Sequence, residues 1–193
     1  VTNLYKNNKI QHPSLKVFTL PNTAMSLAAP NIQTRTALSE IIPGKLYLGE
    51  AGHAYELGIA KKLSPLASIT RIINVTEFDE VPNYLEDVQG YEYLRIAVYD
   101  VNNEEIEEYF EAAYNFIEKA FAEGHKVLVH CYAGMSRSPT IVASYMMRKY
   151  DMSFEGAAKY ISEQRDVTNF RTFRKKLQEY EKYLGAQKFI ISK

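Results

Sequence analysis

One cysteine, no tryptophan and no surplus of either charge set the first limits on this 193-residue chain. A single thiol forms no internal disulfide, and an unpaired cysteine is a liability in a secreted protein, so a reducing compartment, cytoplasm or nucleus, is expected. Lysine plus arginine number 23 and aspartate plus glutamate 23. That balance argues against a nucleic-acid binder or a peripheral membrane protein and leaves any anion specificity to local structure. No stretch approaches the roughly 20 apolar residues that span a bilayer, and no charged-then-apolar signal pattern opens the sequence. Repeats and low-complexity tracts are missing too.

What is present is enough for one sizeable core, since 46% of residues are apolar or aromatic. Residues 1 to 37 read as an extended arm, polar and interrupted by Pro13, Pro21 and Pro30, with Leu15, Val17, Phe18 and Leu20 able to dock it. A domain over 38 to 185 and a tail over 186 to 193 follow.

Within the domain, Glu40 to Gly49 predicts two short strands around a Pro43-Gly44 turn. The β-branched run Ser68 to Val75 predicts a buried strand, and Tyr91 to Val98 another. Helical spacing covers 52 to 63. Over 104 to 122, Ile106, Tyr109, Phe110, Ala113, Phe116, Ile117, Ala120 and Phe121 share one stripe, with acidic residues in the first turns to suit the helix dipole. Lys126 to His130 is a short apolar strand, followed by a loop and an apolar helix from Pro139 to Tyr150. Two further helices are predicted at about 153 to 164 and 169 to 184. Alternating strands and helices imply an α/β fold with a central, mostly parallel sheet flanked by helices.

The chemistry concentrates in the loop from Cys131 to Ser138. A loop between strand and helix turns successive backbone N–H groups into one concavity at the positive end of the helix dipole, which suits a tetrahedral oxyanion. Tyr132, Ala133, Gly134, Met135, Ser136 and Arg137 would line it. Gly134 lets the backbone curl, Ser136 can donate its hydroxyl within the loop, and Pro139 fits the first helical turn. A thiol at the strand end, facing the same concavity and Arg137, is favoured as thiolate, with a pKa expected below the ordinary value of about 8.5. Cys131 is thus the candidate nucleophile. The guanidinium six positions on can close over the anion with paired hydrogen bonds, which lysine cannot do. Ser138 can hydrogen-bond the sulfur as it leaves.

This segment, His130-Cys131-x5-Arg137-Ser138, resembles the signature of the protein tyrosine phosphatase superfamily, and Val129-His130 with Arg137 to Thr140 resembles its dual-specificity branch. Pro43 to Gly49, Ile69 to Val75 and Tyr93 to Asp100 extend the resemblance over about residues 39 to 185. It implies a protein phosphatase working through a cysteinyl phosphate on phosphotyrosine and on phosphoserine or phosphothreonine. The substrate would be a phosphoprotein, phosphorylated kinases among them, and neither metal nor cofactor is called for.

Asp100 is the candidate general acid, placed in a loop after a strand. In that branch the acid lies about thirty residues before the cysteine, and Asp100 stands 31 before Cys131. Asn102 and Asn103 can cap the next helix instead. In the second step the same carboxylate would activate water. The resemblance gives His130 a supporting, non-proton-donating role, and Asn74 is a candidate brace for the phosphate loop. One departure stands out: where the branch often has Arg followed by Pro-Asn-x-Gly-Phe, this chain has Arg165 and then Thr168-Asn169-Phe170.

The residues bear on the alternatives too. Without tryptophan the chain cannot carry the Trp-Pro-Asp loop of the large tyrosine-specific branch, and low-molecular-weight phosphatases place their cysteine near the N-terminus. A phosphoinositide phosphatase often carries lysines in the loop, here Tyr132, Ala133 and Met135. A non-catalytic phosphoresidue-binding scaffold usually lacks the nucleophile. RNA 5′-phosphatases share the loop, but the neutral charge offers no basic track.

Overall fold

Strand β5 (Lys126–His130) runs through the middle of a five-stranded sheet ordered β1 (Ser39–Ile42), β2 (Leu46–Gly49), β5, β3 (Ile69–Asn74), β4 (Glu92–Arg95). The computed structural model describes residues 37–59, 65–167 and 170–191. The arm read over 1 to 37 therefore lies, but for Ala37, outside the described residues. Strands β1 and β2 are antiparallel across the turn at Gly44, while β2, β5, β3 and β4 pair in parallel. The mostly parallel α/β fold expected from the alternation of elements is the fold observed.

Period-2 alternation explains how β5 seats itself. Val127 and Val129 join the larger core with helices α2 (Phe110–Ala122), α3 (Arg137–Tyr150), α4 (Phe154–Gln164) and α5 (Arg174–Ile191). Leu128 points the other way, into a smaller core with Leu57 of α1 (Ala51–Ile59) and Leu85. Every residue of β5 after Lys126 is buried, as a central parallel strand covered on both faces requires. Helix α3 is buried from Arg137 through Met147, so the loop between β5 and α3 is anchored at both ends by core.

Several boundaries differ from the sequence reading. The acidic segment expected to open a helix at 104 forms a 3-10 turn at Ile106–Tyr109 before α2 begins at Phe110. Ile106 is fully buried and Glu107 pairs with Lys176 of α5, so tertiary contacts fix this turn. Only Glu111 then sits in the first turn of α2. The last helix starts at Arg174, five residues later than read, after a turn in which Phe170 is buried with φ 54°. It continues to Ile191, through most of the segment read as a tail. None of the described helices is long and apolar enough to cross a membrane.

Candidate active site

The loop after β5 wraps around the Cys131 sulfur. Gly134 donates its backbone N–H to Sγ at 3.2 Å, and Ser138 donates its hydroxyl to Sγ at 3.2 Å. Both bonds stabilise negative charge on sulfur. No acceptor among the described residues takes the N–H groups of Tyr132, Ala133 or Ser136, as suits donors kept for an anion.

Gly134 has φ 66°, and a Cβ there would lie 2.5 Å from the Gly49 carbonyl oxygen and closer still to Arg165. No side chain fits. Arg165, almost fully buried, closes the loop from behind: its Nε donates to the Gly134 carbonyl at 2.8 Å and its Nη1 to the Ala37 carbonyl at 3.0 Å. The sequence singles out Arg165 only as the start of a divergent motif, and its bracing role depends on a contact 31 residues away. Thr168 and Asn169 of that motif lie outside the described residues.

Arg137, at the first turn of α3, is held by a residue that sequence reasoning missed. Nη1 and Nη2 grip both carboxylate oxygens of Glu80, and Nη1 also donates to the Val98 carbonyl at 3.0 Å. Burial alone would raise the Glu80 carboxyl; the Arg137 guanidinium and the Glu77 backbone N–H together outweigh it and hold the group below the usual carboxylate range. The buried Nε of Arg137 has no partner among the described residues and remains an unused donor. Both terminal nitrogens of the fork expected to close over an anion are therefore engaged, and Glu80 sets its orientation.

Asp100 lies exposed in the loop after β4. Its Oδ1 accepts the Ser136 hydroxyl at 2.6 Å. Ser136 thus points out to the acid's loop rather than bonding within its own, because a carboxylate is the stronger acceptor. Asn74 differs as well. Its Nδ2 donates to the Val81 carbonyl and to Asn83 Oδ1, so it braces the 76 to 83 loop that carries Glu80, not the phosphate loop.

His130 is completely buried, and its Nδ1–H donates to the Cys131 carbonyl at 3.4 Å. Burial pushes its pKa down to about 3, so the ring is neutral. Among the described residues no group of three or more His, Cys, Asp or Glu is placed to hold a metal ion.

Residues 46–183 match the family model for the dual specificity phosphatase catalytic domain. The chain is 35% identical over 151 residues to a protein phosphatase Slingshot homolog of Xenopus laevis, covering 78% of this chain and 20% of that protein. It is also 35% identical over 146 residues to dual specificity protein phosphatase 1B of Arabidopsis thaliana, covering 75% and 82%. Among solved structures, a human tyrosine phosphatase-like serine/threonine/tyrosine-interacting protein superposes with a TM-score of 0.66 at 34% identity, covering 76% of this chain and 96% of the other. The chain thus spans about a fifth of the Slingshot homolog it matches and most of the compact relatives.

Proposed function

We propose that this chain, which belongs to the dual specificity phosphatase family, hydrolyses phosphotyrosine and phosphoserine or phosphothreonine in proteins through a cysteinyl phosphate. The observation that carries this reading is the tie between Asp100 and the loop that cradles Cys131, made by the Ser136 hydroxyl. It brings a carboxyl group to the edge of the cradle that holds the sulfur.

In the first step the Cys131 sulfur attacks phosphorus and forms the S–P bond. The P–O bond to the leaving group breaks, and Asp100 gives its proton to that oxygen. The N–H groups of Tyr132, Ala133 and Ser136 supply backbone donors for the equatorial oxygens, and the free Nε–H of Arg137 joins them. In the second step water attacks phosphorus, the Asp100 carboxylate takes its proton, and the S–P bond breaks. The sulfur leaves as thiolate, met by the Ser138 hydroxyl already bonded to it. Inorganic phosphate departs with the enzyme restored.

Uncharged side chains at the variable loop positions Tyr132, Ala133 and Met135 favour a phosphoprotein over a phosphoinositide, which would call on extra cations. Retention of Cys131, Arg137 and Asp100 favours an enzyme over a scaffold. The free thiol suits a reducing compartment, cytoplasm or nucleus. Turnover of a panel of phosphotyrosine, phosphothreonine and doubly phosphorylated peptides, run beside phosphoinositides, tests the reading. Peptide turnover well above lipid turnover supports it; lipid-only turnover, or none on either, defeats it.

A further inference from the structure

Five large apolar side chains stand well exposed among the described residues, and four of them belong to the segments that form the site. Phe78 is two residues from Glu80, Tyr99 and Val101 flank Asp100, and Tyr132 follows Cys131. Phe78 is the most exposed, at 75%. Scattered apolar residues need no explanation, but a group around one cleft marks a contact surface.

The rim carries more acid than base, and its Arg95 guanidinium is already engaged. Glu77 and Asp79 bracket Phe78, and neither carboxylate has a hydrogen-bond or ion-pair partner among the described residues. Asp79 and Glu77 foremost, then partial burial, Glu80 and Glu104, hold the Tyr99 phenol above its ordinary value, so these carboxylates gather near one exposed ring. The platform is also pre-built. Arg95 donates to the Thr76 and Glu77 carbonyls and to Asn83 Oδ1, and its guanidinium lies over the Phe78 ring at 5.3 Å. A surface already fixed loses little entropy on binding.

We propose that Phe78, Tyr99 and Val101, with the carboxylates of Glu77 and Asp79, bind the polypeptide beside the phosphorylated residue and select a segment bearing Arg or Lys next to an apolar residue. This rests on the phosphoprotein reading above and names its substrate class. A long cationic side chain lays its stem on an aromatic ring while its head reaches the carboxylates. Such complementarity acts on specificity and encounter. In the cleft of about 490 Å³ that Asn102 lines, Arg174 pairs with Glu155 and Lys176 with Glu107, while Arg171 and Lys175 are exposed, so the cationic side of the site lies at that cleft and the acidic side at Glu77 and Asp79.

The test measures binding to the Cys131→Ser protein by calorimetry, with phosphotyrosine peptides identical except for an Arg-Leu, Ala-Leu or Glu-Leu flank. The Arg peptide is expected to bind about tenfold tighter than the Glu peptide at low salt, with the gap closing to about twofold near 0.5 M salt. Glu77→Gln with Asp79→Asn should abolish most of that preference while leaving affinity for inorganic phosphate unchanged. Equal affinities, tighter binding of the Glu peptide, or tighter binding of phosphatidylinositol phosphate vesicles than of any peptide overturns the proposal. Wild-type turnover of the same peptides separates the two readings. Turnover without flank preference removes the rim and keeps the phosphatase, and preference without turnover does the reverse.

Discussion

Ser136 donates its hydroxyl to Asp100 Oδ1 at 2.6 Å, joining two segments 36 positions apart. One end belongs to the phosphate loop and the other to the candidate acid. If this bond positions the acid, Ser136→Ala should lower kcat about tenfold on a phosphoserine peptide, whose alkoxide leaving group needs the proton. The loss should be much smaller on an activated aryl phosphate. Equal losses on both substrates would show that Ser136 serves the loop alone.

Glu80 holds the guanidinium of Arg137 by both of its terminal nitrogens. Glu80→Ala should reduce kcat/KM about ten- to hundredfold through misorientation of that fork, and Glu80→Gln should recover part of it. An Ala variant with unchanged kcat/KM would remove the positioning role.

Burial of His130 couples folding to acid. Unfolded, its imidazole takes up a proton as pH falls through 6.5; folded, it does so only near 3. Its contribution is therefore whole above pH 6.5, and between 6.5 and 3 stability falls by about 1.4 kcal/mol per pH unit. Urea unfolding across that range should show His130→Asn with a shallower loss than wild type by about this slope. Parallel curves contradict it.

At Gly134 the backbone conformation and the Gly49 carbonyl both exclude a side chain. Gly134→Ala should cost about 2 kcal/mol or more in stability and most of the activity. Thermal melting and aryl phosphate turnover measure the two losses, and an unaltered melting temperature would refute the packing argument.

Much of this was legible because it is local. The β-branched and apolar runs of β3 and β5, the glycine of the loop and the cysteine-to-arginine spacing lie within a few residues of one another, where periodicity and sterics speak directly. The contacts that finish the site are distant. Glu80 meets Arg137 across 57 positions, and Arg165 reaches Gly134 across 31. Neither side chain differs in sequence from an ordinary surface charge; the parallel order of β5 and β3 brings in Glu80 from the loop after β3, and the packing of α4 on α3 and β1 brings in Arg165 from the end of α4. The acidic run before α2 misled for a related reason, since buried Ile106 and the Glu107–Lys176 pair set its 3-10 turn.

The proposed intermediate is covalent. Acid quenching during turnover of a phosphotyrosine peptide, followed by mass spectrometry of the fragment containing Cys131, should find phosphate on the sulfur. Asp100→Asn should slow turnover about 10²- to 10⁴-fold, and Cys131→Ser should abolish it while inorganic phosphate still binds. Hydrolysis by the Cys131→Ser protein at a rate near that of wild type would contradict the mechanism.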